Sequence, residues 1–227
     1  MSTASDLETL LFGRRSVRAY LDRPVPRQTL ERLARAARSA PSGANLQPGS
    51  LHILTGAALT ALSDNITAVA ASGAPMADEY TYFPKPMPAH LKTRQREAGY
   101  ALYSALGIDR RDLEGRRDQF LRNYRFFDAP VGIVVTIDRD MGSGCFMDLG
   151  MFLMAFLMAA HDAGLGATGI GALANYGPEV AAHLDLPADQ MVVCGIAVGY
   201  ADPDHPANTV RTTREPLDVF TRFYGFD

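Results

Sequence analysis

The chain is poor in cysteine, in positive charge and in long apolar runs. It has two cysteines, Cys145 and Cys194, both inside apolar stretches. Two cysteines make no disulfide framework and no thiolate metal spacing, which suits a reducing compartment. Lys and Arg number 22 against 25 Asp and Glu, a net charge of −3. General nucleic-acid affinity needs a basic footprint, so that class is excluded. The longest apolar run, residues 151–160, is shorter than a bilayer requires. The five histidines, among them His52, His90, His183 and His205, fall at no ligand spacing, so no metal is expected. The polar, acidic start reads as no secretory signal. No internal repeat or low-complexity linker divides the 227 residues. Together these absences predict one cytoplasmic, globular domain over 1–227, with no membrane and no nucleic-acid partner.

Nearly all of the positive charge is arginine, 20 residues against two lysines, and part of it is concentrated. Arg14, Arg15 and Arg18 lie with Ser16 in Gly13-Arg14-Arg15-Ser16-Val17-Arg18-Ala19-Tyr20. The guanidinium fork suits phosphate oxygens, and serine adds a hydroxyl. The alternative is a solvated helix end whose charge favours the C-terminal dipole. Ser5 and Glu8 have capping-box spacing, and Leu7, Leu10 and Leu11 share a helical face, so a helix is expected to end near Gly13. A late cluster, Arg211 and Arg214, is the natural partner of the first. Two arginine sets meeting on one dianion would justify both.

Between the clusters the pattern alternates helix and strand. Residues 27–39 read as a helix with Leu30, Leu33, Ala34 and Ala37 on its apolar stripe. Pro41-Ser42-Gly43-Ala44-Asn45-Leu46-Gln47-Pro48 is a tight irregular loop, either an ordinary turn or a set of donors for a polar ring. Strands are expected at 50–55, 131–138 and 191–198, the second of them central and buried. A helix is expected at 57–62. Residues 72–125 read as an excursion from the core with several prolines and with Tyr80, Tyr82 and Phe83. Those aromatics either cap a ligand as a lid or pin the excursion to the body.

Residues 145–163 read as a helix that is apolar all round, hence buried on all sides. A subunit interface or a core-only helix would each explain it. His161 and Asp162 are adjacent on that helix and point apart, so they form no catalytic dyad. Gly164-Leu165-Gly166-Ala167-Thr168-Gly169-Ile170-Gly171-Ala172 follows a helix rather than a strand. That context excludes a Rossmann fingerprint and leaves glycines that let backbone approach a flat ring.

In this order, Arg14-Arg15-Ser16-Val17-Arg18, the Pro41–Pro48 loop, Phe127-Asp128-Ala129-Pro130, the 164–172 segment and Arg211 to Arg214 resemble the flavin-dependent nitroreductase family. The resemblance covers nearly the whole chain and is weakest in the excursion. It implies an α+β fold, a mostly antiparallel sheet flanked by helices, built as an intertwined homodimer with FMN sites at the interface. It implies that Arg14, Arg15 (through backbone), Ser16, Arg18 and Arg211 or Arg214 hold FMN. Pro41, Ser42, Gly43 and Asn45 would meet the ribityl chain and ring from the partner subunit. Gly169, Ile170, Gly171 and Ala172 would run along the isoalloxazine.

The implied activity is ping-pong reduction of a small planar electron-poor acceptor, a nitroaromatic or quinone, with NADPH or NADH as donor. The flavin carries the chemistry, so no catalytic side chain is assigned. Tyr82, Phe83 and Asn123 are the substrate-pocket candidates, with Arg125 beside them. Left open are other reactions of the same fold (reductive dehalogenation, enoyl reduction, flavin cleavage) and a non-catalytic flavin-binding sensor. Two positions depart from the family pattern: Gly171 stands where many relatives carry Glu, and Gly49 where an aromatic is common.

Overall fold

The computed structural model describes residues 5–226. Its helices are α1 (Asp6–Gly13), α2 (Arg27–Arg38), α3 (Gly56–Ala71), α4 (Ala89–Ala105), α5 (Leu113–Leu121), α6 (Ser143–Asp162), α7 (Gly177–His183) and α8 (Leu217–Phe220). Its strands are β1 (Ser50–Thr55), β2 (Val131–Asp138), β3 (Gly166–Ile170) and β4 (Gln190–Gly199), in the spatial order β1-β2-β4-β3. Every strand pairing is antiparallel, and helices cover both faces, as the α+β expectation required.

β2 is dense in β-branched residues, whose stiff side chains suit a pleated surface. It lies between β1 and β4 and is buried from Val131 to Ile137. Its side chains alternate between two cores. Ile133 and Val135 join Leu30, Leu33 and Ala37 of α2 and Leu149, Phe152 and Phe156 of α6. Val134 joins Leu59, Leu62 and Ile66 of α3 and Val180 of α7. The register shifts between Val135 and Thr136. The extra residue on β4 lets Val193 and Cys194, neighbours in sequence, both face the α2–α6 core.

Three expectations change. The helix expected at 57–62 runs to Ala71, because Leu59, Leu62 and Ile66 keep one buried face through weak helix signals. The glycine-rich segment after α6 contains a strand, β3, which its sequence does not announce. The helix expected to be buried all round is not: Leu149, Phe152, Phe156 and Ala160 are buried, while Met147, Met151 and Met154 are exposed. At 20 residues it is also long and apolar enough, by length and composition alone, to cross a bilayer, unlike the ten-residue run within it. One face of it nevertheless packs on α2 and the sheet.

The excursion carries α4 and α5. α4 has no buried residue and is tied to the late chain by Arg94 and Glu215 at 2.6 Å. Ahead of α4 the segment is fastened to the body by bonds that include a long one from the Tyr176 hydroxyl to Ala74 O (3.5 Å) and three shorter ones. Ala77 N–H donates to Asn175 O (2.7 Å), Tyr80 hydroxyl to Val193 O (2.6 Å) and Arg139 to Glu79 Oε1 (2.7 Å).

Candidate active site

α1 delivers the first arginine cluster. Its capping box is formed: Glu8 N–H donates to Ser5 Oγ and Ser5 N–H to Glu8 Oε2. The hydrogen bond donated by Ser5 N–H and, after it, the Ser5 side chain hold the Glu8 carboxyl below its usual range. Arg14 ends the helix in an extended conformation, and the chain continues along β3. Ser16 bridges Ala167, and Val17 N–H donates to Ala167 O at 3.3 Å. Val17 and Ala19 are buried, and the two-residue period puts Ser16 and Arg18 on the other side. Gly166 permits the approach: a Cβ there would stand 2.6 Å from Val17 Cγ2.

The late cluster returns to the same place. Leu11, Phe12, Arg14, Arg15, Ser16 and Arg18 face Val210, Arg211, Thr212 and Arg214 across a cleft of about 190 Å³. None of its five arginines enters an ion pair among the described residues. The Nε atoms of Arg14 and Arg15 are buried without a hydrogen-bond partner. Burial lowers the pKa of Arg18. Burial, then the charge of Arg211, does the same for Arg15. Cations without acidic partners and unpaired buried donors facing one cleft fit an anion. His161 lines a separate cavity of about 210 Å³ behind Arg14 and Arg15.

The 41–48 loop is built elsewhere. Ala44, Asn45 and Gln47 have φ of 49°, 57° and 50°, and the loop is held in that form by its neighbours. Arg38 of α2 donates to Gln47 O and Gly49 O, both at 2.6 Å, and its guanidinium stacks 4.3 Å over the Phe152 ring. Buried Asp148 of α6 accepts from Gly43 N–H at 3.0 Å. Ser42 Oγ accepts from Gln47 N–H at 2.9 Å, while Pro41 and Asn45 remain exposed. Asp148 and His161 lie 13 residues apart on α6, a rise of about 20 Å. The loop anchor and the arginine cleft therefore sit toward opposite ends of one helix. Within one chain the structure brings together the two arginine clusters and the start of the 166–172 segment, and leaves the 41–48 loop apart.

Past β3 the backbone turns at Gly171. Ile170 sends its side chain into the core, and Ala172 packs against it, so only backbone is offered here. Tyr82 lies against Gly171 and meets Phe83 edge-on at 4.7 Å. Asn123 donates to Phe120 O in its own turn (2.7 Å), and Arg125 pairs with Asp128 (2.6 Å). Gly49, one of the two departures, has φ of 92° and would drive a Cβ into Leu149. It therefore faces the core.

Residues that the sequence did not single out position the rest: Arg38, Asp148 and Asn208. Arg38 looks like a helix-surface arginine, Asp148 like a lone acid in an apolar helix, and Asn208 like a turn residue after Pro206. Each is explained only by a partner that the fold supplies.

Known proteins resemble this chain over nearly its full length. The model of the nitroreductase family matches residues 11–200. The 4-nitrobenzoate reductase of Nocardioides sp. (strain LMS-CY) is 35% identical over 97% of this chain and 90% of its own. The chloronitrobenzene nitroreductase of Comamonas testosteroni is 36% identical over 98% of this chain and 99% of its own. The crystal structure of the FMN- and NADPH-dependent nitroreductase NfnB from Sphigopyxis sp. strain HMH has a TM-score of 0.94 and 37% identity. It covers 98% of this chain and 100% of that one.

Proposed function

The chain belongs to the nitroreductase family, and from that premise we propose how its own residues serve the reaction. It is an FMN-dependent oxidoreductase that draws on NADPH and reduces nitroaromatic acceptors. The observation that carries the FMN assignment is the arginine cleft. Five guanidinium groups with no acidic partner among the described residues, and two buried unpaired Nε atoms, fit a phosphate dianion. Arg14, Ser16, Arg18 and either Arg211 or Arg214 would hold the phosphate, with Arg15 contributing its backbone. The backbone from Gly169 to Ala172 would run along the ring.

FMN, when bound, supplies the hydride transfer from donor to acceptor. The chain supplies position, charge and exclusion of water. Tyr82 and Phe83, on a segment anchored through Glu79 and Tyr80, give a flat acceptor an aromatic wall. In this reading the chain is one functional unit with 72–125 as its lid.

A second copy completes the site. The 41–48 loop stands about a helix length from the arginine cleft of its own chain. Met147, Met151 and Met154 leave an apolar face of α6 uncovered. A homodimer that covers this face can bring the partner's loop to the flavin. Free cysteines and an NADPH requirement favour the cytoplasm.

The test is optical. Purified protein should be yellow, bleach anaerobically with NADPH and regain its colour on addition of a nitroarene. A colourless protein that takes up no FMN sinks the proposal. A yellow one that NADPH fails to bleach is a binder, not a reductase.

A further inference from the structure

Asn208 lies 190 residues from Arg18 and is 2% exposed, yet all its side-chain hydrogen-bonding groups are matched. Its Oδ1 accepts from Arg18 N–H at 2.8 Å. Its Nδ2 donates to Ala19 O and to Asp202 O, each at 2.8 Å. Its backbone carbonyl accepts from Arg211 Nη1 at 3.2 Å. One residue therefore touches the backbone that carries Arg18 and the side chain of Arg211, which face each other across the cleft.

The bonds around it sharpen this role. The extended segment is stitched to β3 through Val17 and Ala167. Farther on, Leu21 N–H donates to Tyr200 O (2.9 Å) and Asp202 N–H to Ala19 O (3.1 Å). Between these attachments Arg18 N–H is met by the side chain of Asn208. A fully satisfied buried amide fixes one geometry, because any shift leaves a polar group unpaired in a dry environment.

We infer that Asn208 is a positioning residue that sets the spacing between the two arginine clusters, and so tunes the cleft to a phosphate monoester. This rests on the phosphate reading of the cleft proposed above. Asn208 touches no ligand; it acts through Arg18 and Arg211.

The test compares two flavins that differ only in the phosphate. Dissociation constants of FMN and riboflavin are measured on the full chain, as wild type, Asn208→Ala and Asn208→Ser. Wild type should prefer FMN by roughly tenfold or more, one charge-assisted contact or better. Both variants should lose at least about fivefold of that preference through FMN alone, since only the phosphate contacts are misplaced. Riboflavin affinity should stay within about twofold of wild type, because the ring contacts are untouched.

Variants that keep the wild-type ratio overturn the inference. So does an equal loss for both flavins, which marks a general structural role. If neither variant folds even with FMN in excess, Asn208 serves the fold and not the cleft, and the inference falls. A wild-type ratio near one overturns the phosphate reading itself, and the role of Asn208 with it.

Discussion

The ring of Tyr82 lies over Gly171, so close that a Cβ placed on the glycine would stand 3.1 Å from Cε2 of the tyrosine. The family pattern that the sequence resembles often has a glutamate at this position. Here an aromatic ring from the excursion occupies that side of the backbone.

Tyr82→Ala removes half of the aromatic wall. The KM for a nitroarene should rise roughly two- to tenfold, the range of one aromatic contact. Gly171→Ala asks the exposed Tyr82 ring to move a few tenths of an ångström and should change KM little. Gly171→Glu should displace Tyr82 and raise KM at least as much as Tyr82→Ala, while FMN content holds. Steady-state kinetics on the three variants decide this, and an unchanged KM in Tyr82→Ala refutes the wall.

Arg18→Ala addresses the anchor. Arg18 is half-buried, and among the described residues its only side-chain bond is a long one to Ser16 O, at 3.5 Å. Its charge is therefore available to a ligand. Losing one charge-assisted bond, about 1.5–3 kcal/mol, should weaken FMN roughly ten- to hundredfold. Titration of flavin-free protein with FMN measures it. A variant that stays yellow at full occupancy after dilution removes Arg18 from the phosphate site.

Asp148→Ala tests the loop. The carboxylate is buried and accepts from Gly43 N–H at 3.0 Å. Without it that N–H loses a charged partner, at a cost of about 1.5–3 kcal/mol. Thermal unfolding should register the loss. FMN content should fall too, since the loop that carries Ser42, Gly43 and Asn45 is freed. Asp148→Asn keeps an acceptor oxygen and should be milder. Equal effects of the two would mean that Gly43 does not depend on this oxygen.

Gly49→Ala should cost about 1–3 kcal/mol, for two reasons that act together. The φ of 92° disfavours any side chain, and the new methyl would run into Leu149, which is 1% exposed. Chemical denaturation gives the number. A neutral substitution would show that the loop relaxes at no cost.

What the sequence revealed and what it hid follow from one physical distinction. β1, β2 and β4 emerge within a residue of their limits, β1 from weak apolar alternation and β2 and β4 from β-branched runs, signals that declare themselves locally. So do the capping box of α1 and the stripe of α2. β3 has no such signature: its glycines and small residues become a strand only because β4 pairs with them. Both arginine clusters were legible from charge spacing, and the structure adds that they share one cleft. The residues that fix the site were silent. Asp148 meets Gly43 across 105 residues and Asn208 meets Arg18 across 190, separations at which no local pattern survives.

The exposed face of α6 carries the last expectation. Met147, Met151 and Met154 lie at i, i+4 and i+7, a single stripe along the side turned from the core. Left in water, such a stripe is a cost that a second copy removes by burial. Met151→Glu would place a charge in the middle of the covered face, and burying it unpaired costs more than the contact gains. The variant should sediment as a monomer with its helices intact by circular dichroism. If the 41–48 loop reaches the flavin only from the partner, that monomer should also bind FMN poorly, despite an untouched arginine cleft. A monomer that binds FMN as tightly as the wild type would place the whole site in one chain. A dimer that survives the substitution would put the interface elsewhere.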